Sequence, residues 1–222
     1  MDLVSRLEVS QNAFKNWRNV DFENRQLLLK QLAVAIRSNP EKYATIITKE
    51  MNKPITQSLA EIHKTAGMIY YYANLENSLS SEEYKTEFNI SEVHHVPMGI
   101  ILGVMPWNFP FWQVLRFAVP AILAGNVVVL KHASICFESG REIEKLFLDA
   151  QFPEGVFQNF EVGHKEIETL LAHPYVKGVS LTGSGKAGGE VAALAGKNIK
   201  KSLLELGGSD AYVVLDDADV IA

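Results

Sequence analysis

Polar residues that could do chemistry follow short apolar stretches at three places in the sequence. Asn108 comes just after one such stretch, Lys131 ends the run VVVLK, and Glu205 lies in the run LLEL. Apolar runs rich in β-branched residues are typical of strands that are buried on both faces of a sheet. Ligands bind at the carboxyl ends of the strands in an open α/β sheet. We therefore expect the amide, the ammonium group and the carboxylate to lie along one edge of a parallel sheet.

Asn108 is the polar residue of the segment PWNFP, which runs from Pro106 to Pro110. The two prolines restrict the backbone on both sides of the asparagine. A side-chain amide held in this way is suited to stabilise an oxyanion, because preorganised donors stabilise the charge that develops in a transition state. The alternative is a turn asparagine whose side chain bonds to the neighbouring backbone.

The segment TGSGKAG at residues 182–188 lies between a predicted strand and a predicted helix. Glycines at such a junction let backbone N–H groups approach an anion at the helix N-terminus, where the helix dipole favours negative charge. The segment also satisfies the dinucleotide spacing G-x-G-x-x-G, with an acidic residue, Glu205, about 20 residues further on. The pattern predicts a phosphate site, and a tight turn without a ligand is the alternative.

Glu205 has more than one chemical interpretation. Gly207 and Gly208 follow it and would permit a ligand to approach the backbone closely. The dinucleotide spacing makes Glu205 an acceptor for ribose hydroxyls, whereas burial would raise its pKa and suit it to act as a general base. A capping or ion-paired acid is the purely structural alternative.

Lys131, the histidines and the single cysteine are the remaining candidates. Lys131 is either a solvated strand end or a cation placed for a ribose or a phosphate. Cys136 lacks a histidine at an informative spacing, so a buried apolar role is the default and catalysis the alternative. The six histidines show no spacing typical of metal ligands, and we expect no metal site.

The elements that must position these residues alternate between strands and helices. Residues 111–124 have helical apolar spacing, with Pro110 suited to the first turn and Gly125 to the C-terminal cap. The segment around them carries one charge before Lys131, on Arg116, and we interpret it as core rather than a membrane span. Strands are predicted at 99–104, 127–130, 156–162, 176–182, 202–206 and 211–215, with helices at 138–150, 166–172 and 187–195 and a helix beginning at 216–219. This alternation predicts an α/β fold with a doubly wound, Rossmann-like parallel sheet.

A helical segment, residues 1–77, is predicted to precede that sheet. Apolar residues fall on one side of helices at 23–37, 40–51 and 54–75. A polar link follows at 76–85. Residues 87–96 alternate apolar and polar side chains, which predicts a strand with one solvated face; such an edge strand needs a partner or a cover.

Composition excludes several classes of function. With 222 residues and a net charge of −5, the chain can bury a core, and its charge gives no reason to expect nucleic acid or an anionic membrane as a partner. One cysteine excludes an internal disulfide framework, and the N-terminus lacks the apolar core of a signal peptide. These features predict a reducing, cytoplasmic setting.

Four motifs in this order, MPWNFP, AGNVVVLKHAS, SLTGSGKAGG and LLELGGSD, resemble those of the aldehyde dehydrogenase superfamily. The lysine and glutamate motifs are most similar to those of bacterial succinate-semialdehyde dehydrogenase-like members. The resemblance covers essentially the whole chain. It implies the catalytic roles of oxyanion donor for Asn108 and general base for Glu205. It also implies cofactor contacts at Trp107, Lys131, Ser134, Gly183, Ser184, Gly188 and Leu206, and no metal.

Ser134 departs from the pattern of many NAD-preferring members, which carry a glutamate at this position for the ribose hydroxyls. Without that carboxylate, the repulsion of a 2′-phosphate is removed, and Lys131 could pair with the phosphate. We therefore expect NADP to be accepted, alongside NAD.

The resemblance further implies a nucleophilic cysteine in a separate catalytic domain, and the chain ends at Ala222, before that position. We expect residues 1–222 to be the cofactor-binding domain, with a helical segment at 1–77, an oligomerisation strand or hairpin at 86–97 and a Rossmann-like core at 98–222. The complete enzyme would oxidise an aldehyde such as succinate semialdehyde to the carboxylate through a thiohemiacetal and a thioester, as a homo-oligomer. This chain alone would be inactive. The alternatives are a non-catalytic nucleotide-binding module and an unrelated thiol enzyme using Cys136.

Overall fold

A five-stranded parallel sheet forms the centre of the molecule, in the strand order β5-β4-β3-β6-β7. The computed structural model describes residues 2–77 and 79–219. The strands are β1 Glu82–Glu83, β2 Glu92–Val93, β3 Ile100–Met105, β4 Val127–His132, β5 Phe157–Asn159, β6 Val176–Gly183 and β7 Lys201–Leu206. From β3 the chain winds outward to β4 and β5, then returns to the other side of β3 as β6 and β7. The prediction of a doubly wound α/β fold is confirmed.

Helices connect the strands and precede them. They are α1 Leu3–Trp17, α2 Phe22–Ser38, α3 Pro40–Met51, α4 Ile55–Tyr72, α5 Trp112–Leu123, α6 Phe137–Asp149, α7 Lys165–Ala172 and α8 Gly185–Lys197. A 3₁₀ turn, Ser134–Cys136, leads into α6. The helical N-terminal segment is also confirmed. Within the described ranges, no helix is both long enough and apolar enough to cross a membrane.

Burial explains why the central strands form where the sequence places them. Val127, Val128, Val129 and Leu130 of β4 are all 0% exposed. Val128, Val129 and Leu130 each have a strand on both sides, because β4 pairs with β3 and β5. A continuous β-branched run is stable in this position because both faces of the strand are covered and both edges are hydrogen-bonded.

The N-terminal helices are joined to the sheet by polar contacts as well as by the core. The Trp17 indole N–H donates to the carbonyl of Ile122 at 3.1 Å, connecting the end of α1 to α5. Gln158 of β5 donates from Nε2 to the carbonyl of Arg6 at 2.8 Å and contacts Ser10 Oγ at 2.6 Å. Gln158 is only 5% exposed. The helical segment is therefore part of the same folded body as the sheet.

The edge strand predicted at 87–96 is much shorter in the structure. Only Glu92–Val93 is extended and paired, and its antiparallel partner, Glu82–Glu83, comes from the segment predicted to be a polar link. Phe88 and Ile90 are 71% and 73% exposed. The alternation of side chains favoured a strand, but no surface of the described residues covers its apolar face, and the backbone bends there instead.

The prediction of a strand at 211–215 is wrong, because these residues pair with no strand of the described part. They are also exposed to solvent, with Tyr212 92% exposed. Apolar residues without a neighbouring edge do not form a ladder. The helix predicted to begin at 216–219 is not formed there either: residues 216–217 form a turn, and residues 218–219 have no regular structure. Its continuation at 220–222 lies outside the described residues.

Gly155 provides a test of how closely α1 approaches the sheet. Its φ is +87°, and an added Cβ would lie 2.8 Å from the carbonyl oxygen of Val9 in α1. We expect Gly155→Ala to lower the free energy of unfolding by about 1–3 kcal/mol, measured by urea denaturation, because backbone strain and a backbone clash combine.

The control is Gly67→Ala at an exposed position of α4, where an added Cβ meets nothing within 4 Å. That change should raise stability by about 0.5–1 kcal/mol. Equal effects of the two changes would contradict the close approach.

Candidate functional site

A cleft of about 440 Å³ lies at the carboxyl edge of the sheet and brings together most of the predicted site residues. Its lining includes both predicted catalytic residues, Asn108 and Glu205. The other lining residues are Pro106, Trp107, Gln113, Arg116, Thr182, Gly183, Ser184, Leu206 and Gly207. The sheet topology explains this grouping, because β3 and β6 are neighbours from which the chain winds in opposite directions.

The strand register sets the relative positions of the cleft residues. Thr182 of β6 pairs with Glu205 of β7, and Gly183 pairs with Leu206. On the other side of β6, Leu181 pairs with Val104 near the end of β3, shortly before the PWNFP loop. Hydrogen-bonded neighbours in a parallel sheet lie about 4.8 Å apart, so these registers place the carboxylate, the glycine loop and the asparagine loop side by side.

Asn108 is exposed at the cleft, and the contact that holds it uses its backbone. Lys53 Nζ donates to the Asn108 carbonyl oxygen at 3.1 Å. Asn108 also lines the cavity. This arrangement differs from a turn asparagine that satisfies its own loop, since the hydrogen bonds that hold the loop come from other elements.

The glycine segment forms the N-terminus of α8, which begins at Gly185, two residues earlier than predicted. Ser184 is the N-cap, and its Oγ accepts a hydrogen bond from the backbone N–H of Ala187 at 3.2 Å. Gly188 is buried against β7, where an added Cβ would lie 2.5 Å from Leu206 Cδ2. The glycine therefore allows α8 to pack closely on Leu206, while the helix N-terminus and its dipole point toward the cleft lining at Gly183 and Ser184.

Glu205 forms an ion pair with Arg116, whose Nη2 lies 3.3 Å from Glu205 Oε2. The Glu205 side chain is 49% exposed and that of Arg116 is 38% exposed. The alternative of a general base activated by burial does not match this exposure, whereas the structural alternative of an ion-paired acid does, because β7 is the outermost strand of the described sheet and its end is open to solvent.

Arg116 is the site residue whose role the sequence reasoning missed. It lies in α5 and lines the cleft, and it also lines an adjoining cavity of about 500 Å³. Thr182 and Glu205 line both spaces as well. The signal was available, because Arg116 is the only charge between residues 99 and 130, and a lone charge in an apolar segment has to reach water or a partner.

Lys131 and Ser134 lie at the same sheet edge but do not line the cleft of Asn108 and Glu205. Lys131 pairs with Val104 of β3 and is only 2% exposed, so the alternative of a solvated strand end is wrong. Burial lowers the pKa of Lys131, and Glu166 partly offsets that effect. Among residues 2–77 and 79–219, no carboxylate lies within 4.0 Å of this ammonium group, and Ser134 is exposed.

His132 and Cys136 are both 0% exposed, so neither side chain is accessible to a substrate. Burial lowers the pKa of His132 to about 4, so the imidazole is neutral near pH 7. Its Nδ1 accepts a hydrogen bond from the Ala133 N–H at 2.8 Å. The ring proton is therefore on Nε2, which donates to the Pro110 carbonyl at 3.1 Å. Burial raises the pKa of Cys136 to about 12, which removes it as a nucleophile. In the part of the chain that is described, no cluster of potential metal ligands occurs.

The chain belongs to the aldehyde dehydrogenase family, whose family model matches residues 2–222. A probable NADP-dependent succinate-semialdehyde dehydrogenase of Synechocystis is 41% identical over 221 residues, which cover 99% of this chain and 49% of that protein. The succinate semialdehyde dehydrogenase Sad of Escherichia coli, named for NAD(P), is 38% identical over 220 residues, covering 99% of this chain and 48% of that one.

Solved structures show the same correspondence. The crystal structure of succinic semialdehyde dehydrogenase from Streptococcus pyogenes, in complex with NADP+, superposes with a TM-score of 0.92 at 40% identity. The match covers 98% of this chain and 48% of that structure. The family resemblance read from the four motifs is confirmed. The chain spans about half the length of the curated relatives it matches.

The buried His132 generates a pH prediction. Its pKa falls from 6.5 in the unfolded chain to about 4 in the fold, so protons bind the unfolded chain more tightly. The stability that this residue contributes is present above about pH 6.5 and is lost as the pH falls toward 4, by on the order of 3 kcal/mol. We expect His132→Gln, which keeps a donor for the Pro110 carbonyl, to flatten the pH dependence of the unfolding free energy between pH 6.5 and 4.

The matched control for this measurement is His63→Gln, at an exposed position of α4. It removes a histidine without removing a buried imidazole, and it should keep the pH dependence of the unmodified protein. If His132→Gln and the unmodified protein lose stability in parallel over this range, the neutral buried imidazole is contradicted.

Proposed function

We propose that this chain provides the nucleotide site, the oxyanion donor and the general base of an NADP-accepting aldehyde dehydrogenase whose substrate carries a carboxylate. The observation that carries this proposal is the shared cleft in which Asn108 and Glu205 lie beside the N-terminus of α8 and Arg116. The named activities of the similar proteins support the same reaction class.

The residues present fit a phosphorylated dinucleotide. The N-terminus of α8, with Gly183 and Ser184, would hold the pyrophosphate, because its N–H groups and dipole favour an anion. Lys131 is buried and has no ion-pair partner among the residues that the structure describes, and an anionic ligand at this position would restore the interactions that its ammonium group loses on burial. When bound, the nicotinamide would supply the hydride acceptor.

NADP is the favoured form because position 134, three residues after Lys131, carries no carboxylate that would repel a 2′-phosphate. Position 134 is an exposed serine rather than a glutamate. An exposed hydroxyl can donate to a phosphate oxygen, and a lysine can pair with its charge. Similar proteins carry NADP in their names, and one similar crystal structure contains it.

Asn108 and Glu205 provide the two polar groups that aldehyde oxidation to an acid requires from this half. The Asn108 amide would donate to the oxyanion that forms when a thiolate adds to the carbonyl group. Glu205 would accept a proton from the water that hydrolyses the thioester, once the substrate has separated it from Arg116. The thiolate must come from outside this chain's residues, since Cys136 is buried and protonated.

Arg116 is placed to bind the substrate's own carboxylate. It lines both the cleft of Asn108 and the adjoining apolar cavity, and its guanidinium already contacts the carboxylate of Glu205. A substrate carboxylate would replace Glu205 as its partner, which would free Glu205 to act as a base. This exchange supports a short ω-carboxy aldehyde, such as succinate semialdehyde, as the substrate.

The segment 86–97, which contains β2, remains our candidate for the oligomer contact of the complete protein. Its exposed apolar residues, Phe88, Ile90 and Val96, lie outside the core of this chain and would need a cover.

Cofactor choice can be tested on this chain by titration with NADP and NAD, followed by tryptophan fluorescence. We expect NADP to bind, and we expect Ser134→Glu to weaken NADP binding about tenfold while leaving NAD binding intact, because the new carboxylate faces the 2′-phosphate. The control is Ile135→Glu, which adds the same charge at an exposed neighbouring position. Equal losses in the two variants would contradict a role of position 134 at the 2′-phosphate.

Substrate choice can be tested in a protein that joins this chain to the thiol-bearing half. We expect Arg116→Gln to lower kcat/KM for succinate semialdehyde at least tenfold more than for butanal, a neutral aldehyde of the same carbon number, because a charge-assisted hydrogen bond contributes about 1.5–3 kcal/mol. Arg141→Gln, which removes an exposed ion pair with Glu161, is the control. Equal losses for both aldehydes would show that Arg116 does not bind the substrate carboxylate.

A further inference from the structure

A carboxylate buried beneath the PWNFP loop binds the start of α5. Glu61 of α4 is 2% exposed, and its Oε1 accepts hydrogen bonds from the backbone N–H groups of Phe111 at 2.9 Å and Trp112 at 3.0 Å. The first N–H groups of a helix have no partner within the helix, and a negative charge at that end is favoured by the helix dipole. Glu61 thus fixes the backbone on the C-terminal side of Asn108.

Lys53 completes the contact on the other side of Glu61. Its Nζ donates to Glu61 Oε2 at 2.6 Å and to the Asn108 carbonyl oxygen at 3.1 Å. The same ammonium group lies 3.6 Å from the centre of the Phe109 ring. Lys53 is 8% exposed, so these contacts are largely shielded from water. One ion pair therefore holds the backbone at Asn108 and at the beginning of α5.

Two further residues contact backbone carbonyl groups of the same loop, those of Pro110 and Trp107. His132 Nε2 contacts the Pro110 carbonyl at 3.1 Å, and Cys136 Sγ lies 3.9 Å from the Trp107 carbonyl. Apart from the contact of Lys53 with the Phe109 ring, the contacts that hold this loop and the start of α5 are made to backbone atoms. None of them uses the side chain of Asn108, and Asn108 lines the cleft.

We propose that Lys53 and Glu61 are positioning residues for the Asn108 amide, which they hold at the cleft before substrate binds. This inference rests on the proposed function of Asn108 as the oxyanion donor. A donor accelerates a reaction most when it needs no reorganisation as charge develops. A buried ion pair is a weak source of stability compared with apolar residues of the same volume, but its directional bonds can define one backbone conformation.

The test uses the double variant Lys53→Met/Glu61→Gln. Removing both charges avoids leaving one buried charge unpaired, and the glutamine carbonyl keeps an acceptor for the N–H groups of α5. The bond to the Asn108 carbonyl is lost. The control is Lys42→Met/Glu142→Gln, which removes an ion pair between α3 and α6 that does not touch the loop.

On this chain, ¹⁵N relaxation of the Asn108 side-chain amide is the direct measurement. We expect its order parameter to fall in the Lys53/Glu61 variant and to remain unchanged in the control, while the NADP dissociation constant stays within threefold in both. An unchanged order parameter in the Lys53/Glu61 variant would overturn the proposal.

In the protein joined to its thiol-bearing half, the same variant should lose at least tenfold in kcat, with little change in KM or in NADP affinity. A merely structural role would instead lower stability and NADP affinity together, and would do so in both double variants. If no form of the joined protein oxidises aldehydes, the proposed function fails, and the amide order parameter still decides whether the ion pair positions Asn108.

A measurement on the unmodified protein keeps the proposal falsifiable if the double variant does not fold. Hydrogen exchange at the amides of Phe111 and Trp112 should be at least a hundredfold slower than at Phe22 and Glu23, which open α2 without a side-chain cap. Equal exchange rates would show that Glu61 does not hold this helix end and would overturn the proposal.

Discussion

The hydrogen-bonded register of β6 between β3 and β7 is the constraint on which the site depends. Leu181 pairs with Val104 on one side and Leu204 on the other, and the cleft is lined by the residues that follow on β6 and β7 and by the loop after β3. A shift of one residue in any of these pairs would turn every following side chain to the opposite face of the sheet. Because the central strands are buried on both faces, such a shift would expose apolar side chains and is strongly disfavoured. The core therefore fixes where the candidate catalytic residues lie, although none of them belongs to it.

The charged groups of the site fall into two environments with different consequences. Arg116 and Glu205 are partly exposed, so their ion pair contributes little to stability and can exchange partners when a ligand arrives. Lys53 and Glu61 are buried, and separating them would leave charges in a medium that solvates them poorly. The exposed pair is suited to rearrange during a reaction and the buried pair is suited to hold a fixed geometry.

The sequence predicts the central sheet well because the strands are recognisable without knowledge of their neighbours. Residues 127–130 are apolar throughout, and that pattern has one stable solution in a soluble fold. The predictions at 87–96 and 211–215 fail because alternation or apolarity favours a strand only where another edge or surface is available. For the same reason the burial of Lys131 could not be predicted, since it depends on how adjacent loops cover the strand end. Arg116 was visible as a lone charge, but its partner, Glu205, comes from a distant strand.

The N-terminal helices belong to the site even though no predicted catalytic residue lies in them. Lys53 precedes α4 and Glu61 lies within it, and together they contact the loop of Asn108 and the start of α5 from beneath. Sequence motifs do not reveal this link, because it joins residues some 50 positions apart through buried side chains whose types are ordinary on a helix surface. The cleft is thus built from two layers. The sheet sets the positions of the strand ends, and the helical segment sets the conformation of the loop that carries the amide. A sheet without residues 2–77 would lack the second layer, because the contacts of Lys53 and Glu61 with the loop and with the start of α5 would be absent.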